Sequence, residues 1–77
     1  MTAKTLTNKL NTINNTNDIK VVKEHGYYIV KCGGYESEFC YTLKELVAEI
    51  INKETIKMVY RSWTMSGLKV TTIKGLN

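Results

Sequence analysis

Two short pairs, His25-Gly26 and Gly33-Gly34, divide residues 19–41 into three runs of strand-forming side chains. Glycine readily adopts the positive φ angles that a two-residue hairpin turn needs. Two such turns in succession predict an antiparallel meander of three strands. The predicted strands cover residues 19–24, 27–32 and 35–41.

Two-residue loops also set the register of this meander, because each strand then begins opposite the end of the one before it. The predicted pairs are Val21 with Val30, Cys32 with Tyr35, Lys31 with Glu36, Val30 with Ser37 and Tyr28 with Phe39. Alternation then predicts one apolar face, made of Ile19, Val21, Tyr28, Val30, Cys32, Tyr35, Phe39 and Tyr41.

The two cysteines of the chain fall on opposite faces in this register. Cys32 lies on the apolar face and Cys40 on the other, near the opposite end of the hairpin. A disulfide needs Cα atoms within about 7 Å of each other. We therefore predict two free thiols, which suit a reducing compartment.

A helix is predicted after the meander by its capping residues and by its apolar spacing. Thr42 and Glu45 form a capping box, in which the Thr42 hydroxyl accepts from the backbone N–H of Glu45. An apolar stripe follows at helical spacing, made of Leu43, Leu46, Val47, Ile50 and Ile51. The stripe predicts that the helix packs across the apolar face of the sheet.

Two further strands are predicted at residues 56–64 and 68–73, joined through Ser66-Gly67. A two-residue loop there places Trp63 opposite Val70.

At the other end of the chain, residues 1–17 space their apolar side chains as a helix does, yet they are rich in Thr and Asn, which are poor helix formers. A helix and a mobile segment both remain open for this part.

These elements predict one α+β domain spanning residues 1–77. It has an antiparallel sheet of about five strands, in the order (α)βββαββ, with one amphipathic helix packed on one face. No stretch approaches the roughly 18 consecutive apolar residues of a membrane span, and the polar start lacks the apolar core of a secretory signal. We expect a cytoplasmic protein that does not enter membranes.

No catalytic or metal-binding constellation stands out. His25 is the only histidine and lies in a predicted turn, with no nucleophile or carboxylate expected within its reach. Together with Cys32 and Cys40 it lacks the short spacings of a zinc site. The sequence therefore predicts a protein that is not an enzyme and that carries no metal or cofactor.

The last predicted hairpin offers the best candidate for a binding surface. One face of this hairpin would expose four apolar side chains and one cation, a composition found at protein interfaces. These residues are Arg61, Trp63, Met65, Leu68 and Val70. This composition favours a protein-interaction module. Two alternatives stay open: burial of the patch under residues 3–13, and a homodimer.

Single-stranded nucleic acid is the alternative partner, because sheet aromatics flanked by cations can stack bases. The net charge of +4 permits this function without demanding it. The residues for this alternative are Lys57, Arg61, Trp63, Lys74, Lys20, Tyr27 and Lys31.

The chain is small, rich in Lys, Asn, Ile and Thr, and has a single arginine, Arg61. In these respects it resembles the small accessory proteins carried by phages and other mobile elements of AT-rich, low-GC Gram-positive hosts. The resemblance implies that the protein binds and modulates or inhibits a host or defence protein. It assigns no role to any residue.

Overall fold

A computed structural model of the chain describes residues 1–37, 40–60 and 69–77. Its sheet has five antiparallel strands in the order β1-β2-β3-β4-β5. The elements are α1 (Ala3–Asn14), β1 (Ile19–Glu24), β2 (Tyr27–Cys32), β3 (Tyr35–Glu36), α2 (Leu43–Ile51), β4 (Thr55–Tyr60) and β5 (Val70–Lys74). The predicted α+β class and element order are confirmed.

The first two turns form as their glycines predict. His25 and Gly26 have φ angles of 51° and 83°, the two positive values of a type I′ hairpin turn. Val21 consequently pairs with Val30, as predicted. After the second turn Cys32 pairs with Tyr35, also as predicted.

The register changes beyond Ser37, and the predicted pairing of Tyr28 with Phe39 is wrong. The Ser37 N–H donates to the Val30 carbonyl at 2.9 Å, as that register requires. Tyr28, however, pairs with Cys40, and each backbone N–H donates to the other's carbonyl, at 2.8 and 3.0 Å. Two residues therefore separate Ser37 from Cys40 where one residue separates Val30 from Tyr28, so the register shifts by one. Phe39 itself lies outside the described residues.

A one-residue slip exchanges the two faces of a strand. Cys40 accordingly packs against the core, together with Cys32, whereas Tyr41 is 67% exposed. The prediction that the cysteines lie on opposite faces is wrong for this reason. Both are nevertheless free, because Cys40 lies opposite Tyr28, four residues or about 13 Å along β2 from Cys32.

Helix α2 begins at its predicted cap, where the Thr42 hydroxyl accepts from the Glu45 N–H at 3.1 Å. Leu46 and Ile50 of the predicted stripe are buried, while Ile51 is 44% exposed. The chain terminus closes the other end of the helix, where the Leu76 N–H donates to the Ile50 carbonyl at 3.1 Å.

Both helices pack on the same face of the sheet. Leu6 and Leu10 of α1 belong to one buried cluster with Leu46 and Ile50 of α2. The cluster is completed from the strands by Ile19, Val21, Val30, Ile56 and Met58. Residues 3–14 are thus helical, which decides between the helix and the mobile segment that the sequence left open, and α1 packs on the core beside α2.

Polar side chains of α1 also hold the first strand by its backbone. The Asn11 side chain accepts from the Ile19 N–H at 2.9 Å and donates to the Ile19 carbonyl at 3.0 Å. The Thr7 hydroxyl accepts from the Val21 N–H at 3.0 Å. The edge of β1 is thereby covered, which is how native sheets avoid unwanted pairing.

The last hairpin has a different register from the predicted one. Val59, rather than Trp63, lies opposite Val70, and Ile56 lies opposite Ile73. The partner of Val70 thus differs from the predicted one by four residues, an even number, so each described side chain keeps its predicted face. This register places Ile56 and Ile73 side by side against the core.

Candidate interaction surface

The outer face is the side of the sheet opposite the core, and neither helix packs on it. Alternation along the paired strands defines its members. They are Lys20, Val22, Glu24, Tyr27, Ile29, Lys31, Glu36, Thr55, Lys57, Val59, Val70, Thr72 and Lys74.

An ion-pair network occupies the first hairpin on the outer face. The Lys31 ammonium lies 2.7 Å from a Glu24 carboxylate oxygen and 3.6 Å from one of Glu36. The hydrogen bond from Lys31 holds the pKa of Glu24 below its ordinary value, and the same bond raises the pKa of Lys31. Lys31 is thus already engaged by two carboxylates, which weakens it as a contact for phosphate.

An aromatic pair lies at one end of the same hairpin. The Tyr27 and Tyr41 rings have centroids 5.2 Å apart and are tilted by 55°. Tyr41 reaches Tyr27 because the one-residue register shift after Ser37 reverses the alternation of the strand. No residue pattern in the sequence indicates this register shift, and the prediction that Tyr41 belongs to the apolar face is wrong for that reason. Tyr41 now covers part of the Tyr27 ring on which a base would stack.

The last hairpin carries an apolar pair in the outer face. Val59 lies directly opposite Val70, and Val70 is 49% exposed. Of the predicted protein-binding set, Val70 is therefore on this surface. The other members, Arg61, Trp63, Met65 and Leu68, lie outside the described residues.

Five members of the nucleic-acid set share the outer face. Lys20 lies opposite Lys31, Lys57 opposite Thr72, and Lys74 opposite Thr55. Lys20, Lys57 and Lys74 are exposed, and Tyr27 is partly buried. The remaining members, Arg61 and Trp63, are not among the described residues.

The outer edge of β5 was not foreseen as a site. The Tyr60 N–H donates to the Lys69 carbonyl at 2.9 Å, and the Gly75 N–H donates to the Glu54 carbonyl at 2.8 Å. In an antiparallel pair such bonded residues alternate with residues whose backbone groups point the other way. The N–H and C=O groups of Val70, Thr72 and Lys74 therefore point away from β4.

Only part of that edge is occupied within the described chain. The Asn14 side chain takes both backbone groups of Lys74, accepting from its N–H at 2.7 Å and donating to its carbonyl at 3.0 Å. No side chain within residues 1–37, 40–60 and 69–77 binds the outward backbone groups of Val70 and Thr72, and β5 ends the sheet of described strands. The outward backbone groups of these two residues form the open edge of the sheet.

A cleft beside α2 is a weaker candidate for a binding site. It has a volume of about 410 Å³ and lies between α2 and β4. Glu49 and Lys53 line it and pair with each other at 3.0 Å. Cys40 also lines it, and the nearby described residues include no histidine to activate that thiol.

Within the described ranges, no group of three His, Cys, Asp or Glu side chains is placed to hold a metal ion. None of the described helices has the length and apolar character needed to cross a membrane. No family model, curated protein or solved structure matches this chain.

Proposed function

We propose that this protein is a non-enzymatic interaction module that binds another protein through the last hairpin. The carrying observation is that both helices pack on one face, which leaves the Val59–Val70 pair on a face that no described helix covers. An apolar pair on such a face, with Val70 49% exposed, suits an interface better than solvent.

The charge of the chain supports an acidic partner. Residues 55–77 contain no acidic residue, and their four cations are Lys57, Arg61, Lys69 and Lys74. Five of the seven acidic residues lie instead within residues 36–54. A cationic hairpin attracts an acidic surface over long range and orients it on approach.

Single-stranded nucleic acid remains the second candidate, because the same cations also attract phosphates. The first hairpin supports it poorly, since Lys31 is paired with two carboxylates and Tyr41 lies on Tyr27. Binding of this kind would rest on the last hairpin and would weaken steeply with salt.

We also propose a cytoplasmic protein of a phage or mobile element that modulates or inhibits a host or defence protein. The two free cysteines support a reducing compartment. The surplus of Lys, Asn, Ile and Thr supports an origin in a phage or mobile element, because small accessory proteins of such elements have a similar composition. Catalysis is not part of the proposal, since burial raises the pKa of the Cys32 thiol and makes it a weaker nucleophile.

A photo-crosslinking amino acid placed at Val70 tests the protein partner in host cells. The matched control carries the same group at Lys44, an exposed residue of α2. We expect one discrete protein adduct from position 70 alone, lost when Val59→Asp is added to a chain that still folds.

Two outcomes count against this function. Equal adducts from both positions would show that the hairpin is not selective. An adduct that disappears on nuclease treatment would favour the nucleic-acid alternative.

A further inference from the structure

We propose that the open edge of β5 accepts an extended acidic segment of the partner protein as an additional strand. This inference rests on the proposed function and names how the partner is held. Strand addition of this kind uses main-chain hydrogen bonds for affinity and side chains for specificity.

The backbone chemistry of the open edge matches a peptide. Val70 and Thr72 each present one N–H donor and one C=O acceptor, about 7 Å apart along the strand. An extended peptide offers donors and acceptors with the same alternation. Nucleic-acid phosphates only accept hydrogen bonds, so they would leave both carbonyls unpaired.

The length of the added strand is limited by α1. Asn14 already holds the N–H and C=O of Lys74, so the incoming strand cannot pair there without displacing that side chain. Pairing is confined to the level of Val70 and Thr72. A short segment of about three to five residues therefore suffices.

Charge selects an acidic segment. Lys69 and Lys74 stand at the two ends of β5, and both are exposed. They project to opposite faces of the sheet, because they are five positions apart. Acidic side chains on either face of the added strand would consequently meet a cation.

The same lysines argue against a second copy of this chain. Two copies of β5 could pair about a two-fold axis without displacing Asn14 from Lys74. In that arrangement Val70 of one copy lies opposite Thr72 of the other. The arrangement would gather Lys69 and Lys74 from both copies around the junction, with no acidic residue in either hairpin. Edge lysines are a common device against such pairing.

The probe for a direct test is a capped peptide of seven residues that alternates Glu and Val, with a Lys and Val peptide as its control. Amide hydrogen exchange followed by NMR measures whether the N–H groups of the open edge are hydrogen-bonded. In the free protein, we expect fast exchange at Val70 and Thr72 and slow exchange at Thr71 and Ile73, whose N–H groups point toward β4. The Glu peptide should slow amide exchange at Val70 and Thr72, and the Lys peptide should leave it unchanged.

Thr72→Pro removes one outward donor, and proline is tolerated on edge strands where the N–H faces solvent. We expect it to weaken binding of the Glu peptide about tenfold or more. Thr72→Val keeps the donor and should bind as the wild type does. Slow amide exchange at Thr71 and Ile73 verifies that the proline variant folds. If the variant does not fold, the exchange rates of the wild type with and without the Glu peptide test the proposal.

Three results would overturn strand addition. The first is bound peptide with Val70 and Thr72 still exchanging fast, and the second is equal binding by Thr72→Pro and wild type. The third is a stable dimer in sedimentation without peptide. Crosslinking from Val70 would survive the first two results, so the failure of strand addition is distinguishable from failure of the proposed function.

Discussion

The Asn14 side chain pairs with both backbone groups of Lys74, 60 positions away along the chain, at 2.7 and 3.0 Å. The amide imitates the backbone of a neighbouring strand. Asn11 does the same for Ile19 on the opposite edge of the sheet. Through these two side chains, α1 connects the first strand to the last.

Replacing Asn14 should loosen this connection. We expect Asn14→Ala to lower the free energy of unfolding by about 1 kcal/mol, because its two exposed hydrogen bonds to Lys74 and a third to the Leu10 carbonyl of its own helix are lost. Amide exchange at Lys74 should also accelerate. Asn8→Ala is the control on the exposed face of the same helix; it makes a similar change in helix propensity and should cost less than about 0.5 kcal/mol. Equal losses in urea denaturation would mean that the Asn14 bonds contribute nothing.

The cap of α2 gives a second prediction. Thr42→Ala removes the acceptor of the Glu45 N–H and should cost about 1 kcal/mol of stability. Lys44→Ala, on the solvent side of the first turn, should change it by less than about 0.5 kcal/mol. Chemical denaturation of both variants provides the measurement, and indistinguishable midpoints would contradict the role of the cap.

The Glu24–Lys31 pair predicts the sign of a pH effect. The pKa of Glu24 is lowered by its hydrogen bond from Lys31, so its stabilising contribution is present above the ordinary carboxyl pKa. That contribution is lost as the pH falls through the lowered value. NMR titration should find the Glu24 carboxyl below its ordinary pKa, and Lys31→Met should raise it. An unchanged titration in Lys31→Met would show that the pair does not persist in solution.

Trp63 lies outside the described residues, and its exposure stays a prediction from the sequence. The proposed function expects Trp63→Ala to cost well under the roughly 3 kcal/mol of a buried aromatic residue, yet to abolish partner binding. As the only tryptophan, it reports its own surroundings by fluorescence. Blue-shifted emission that resists quenching by iodide would place it in the core and remove it from the interface.

Local chemistry was readable from the residue order. The turn at His25-Gly26 depends on two positive φ angles, and the start of α2 depends on a hydroxyl three residues before the N–H that it accepts from. The apolar stripe of α2 follows from helical geometry alone. These features involve neighbours in the chain, so the α+β order could be predicted without any distant contact.

Distant contacts decided the rest. Two register differences depend on which strand pairings best fill the shared core: the one-residue shift that brings Tyr41 to Tyr27, and the four-residue change of the partner of Val70. The docking of α1 combines the burial of Leu6 and Leu10 with the contact between Asn14 and Lys74, and no local pattern around Asn14 indicates that distant partner. The candidate surface arises from these same contacts. Only folding places both helices on one face and leaves Val70 and Thr72 at the open edge of β5.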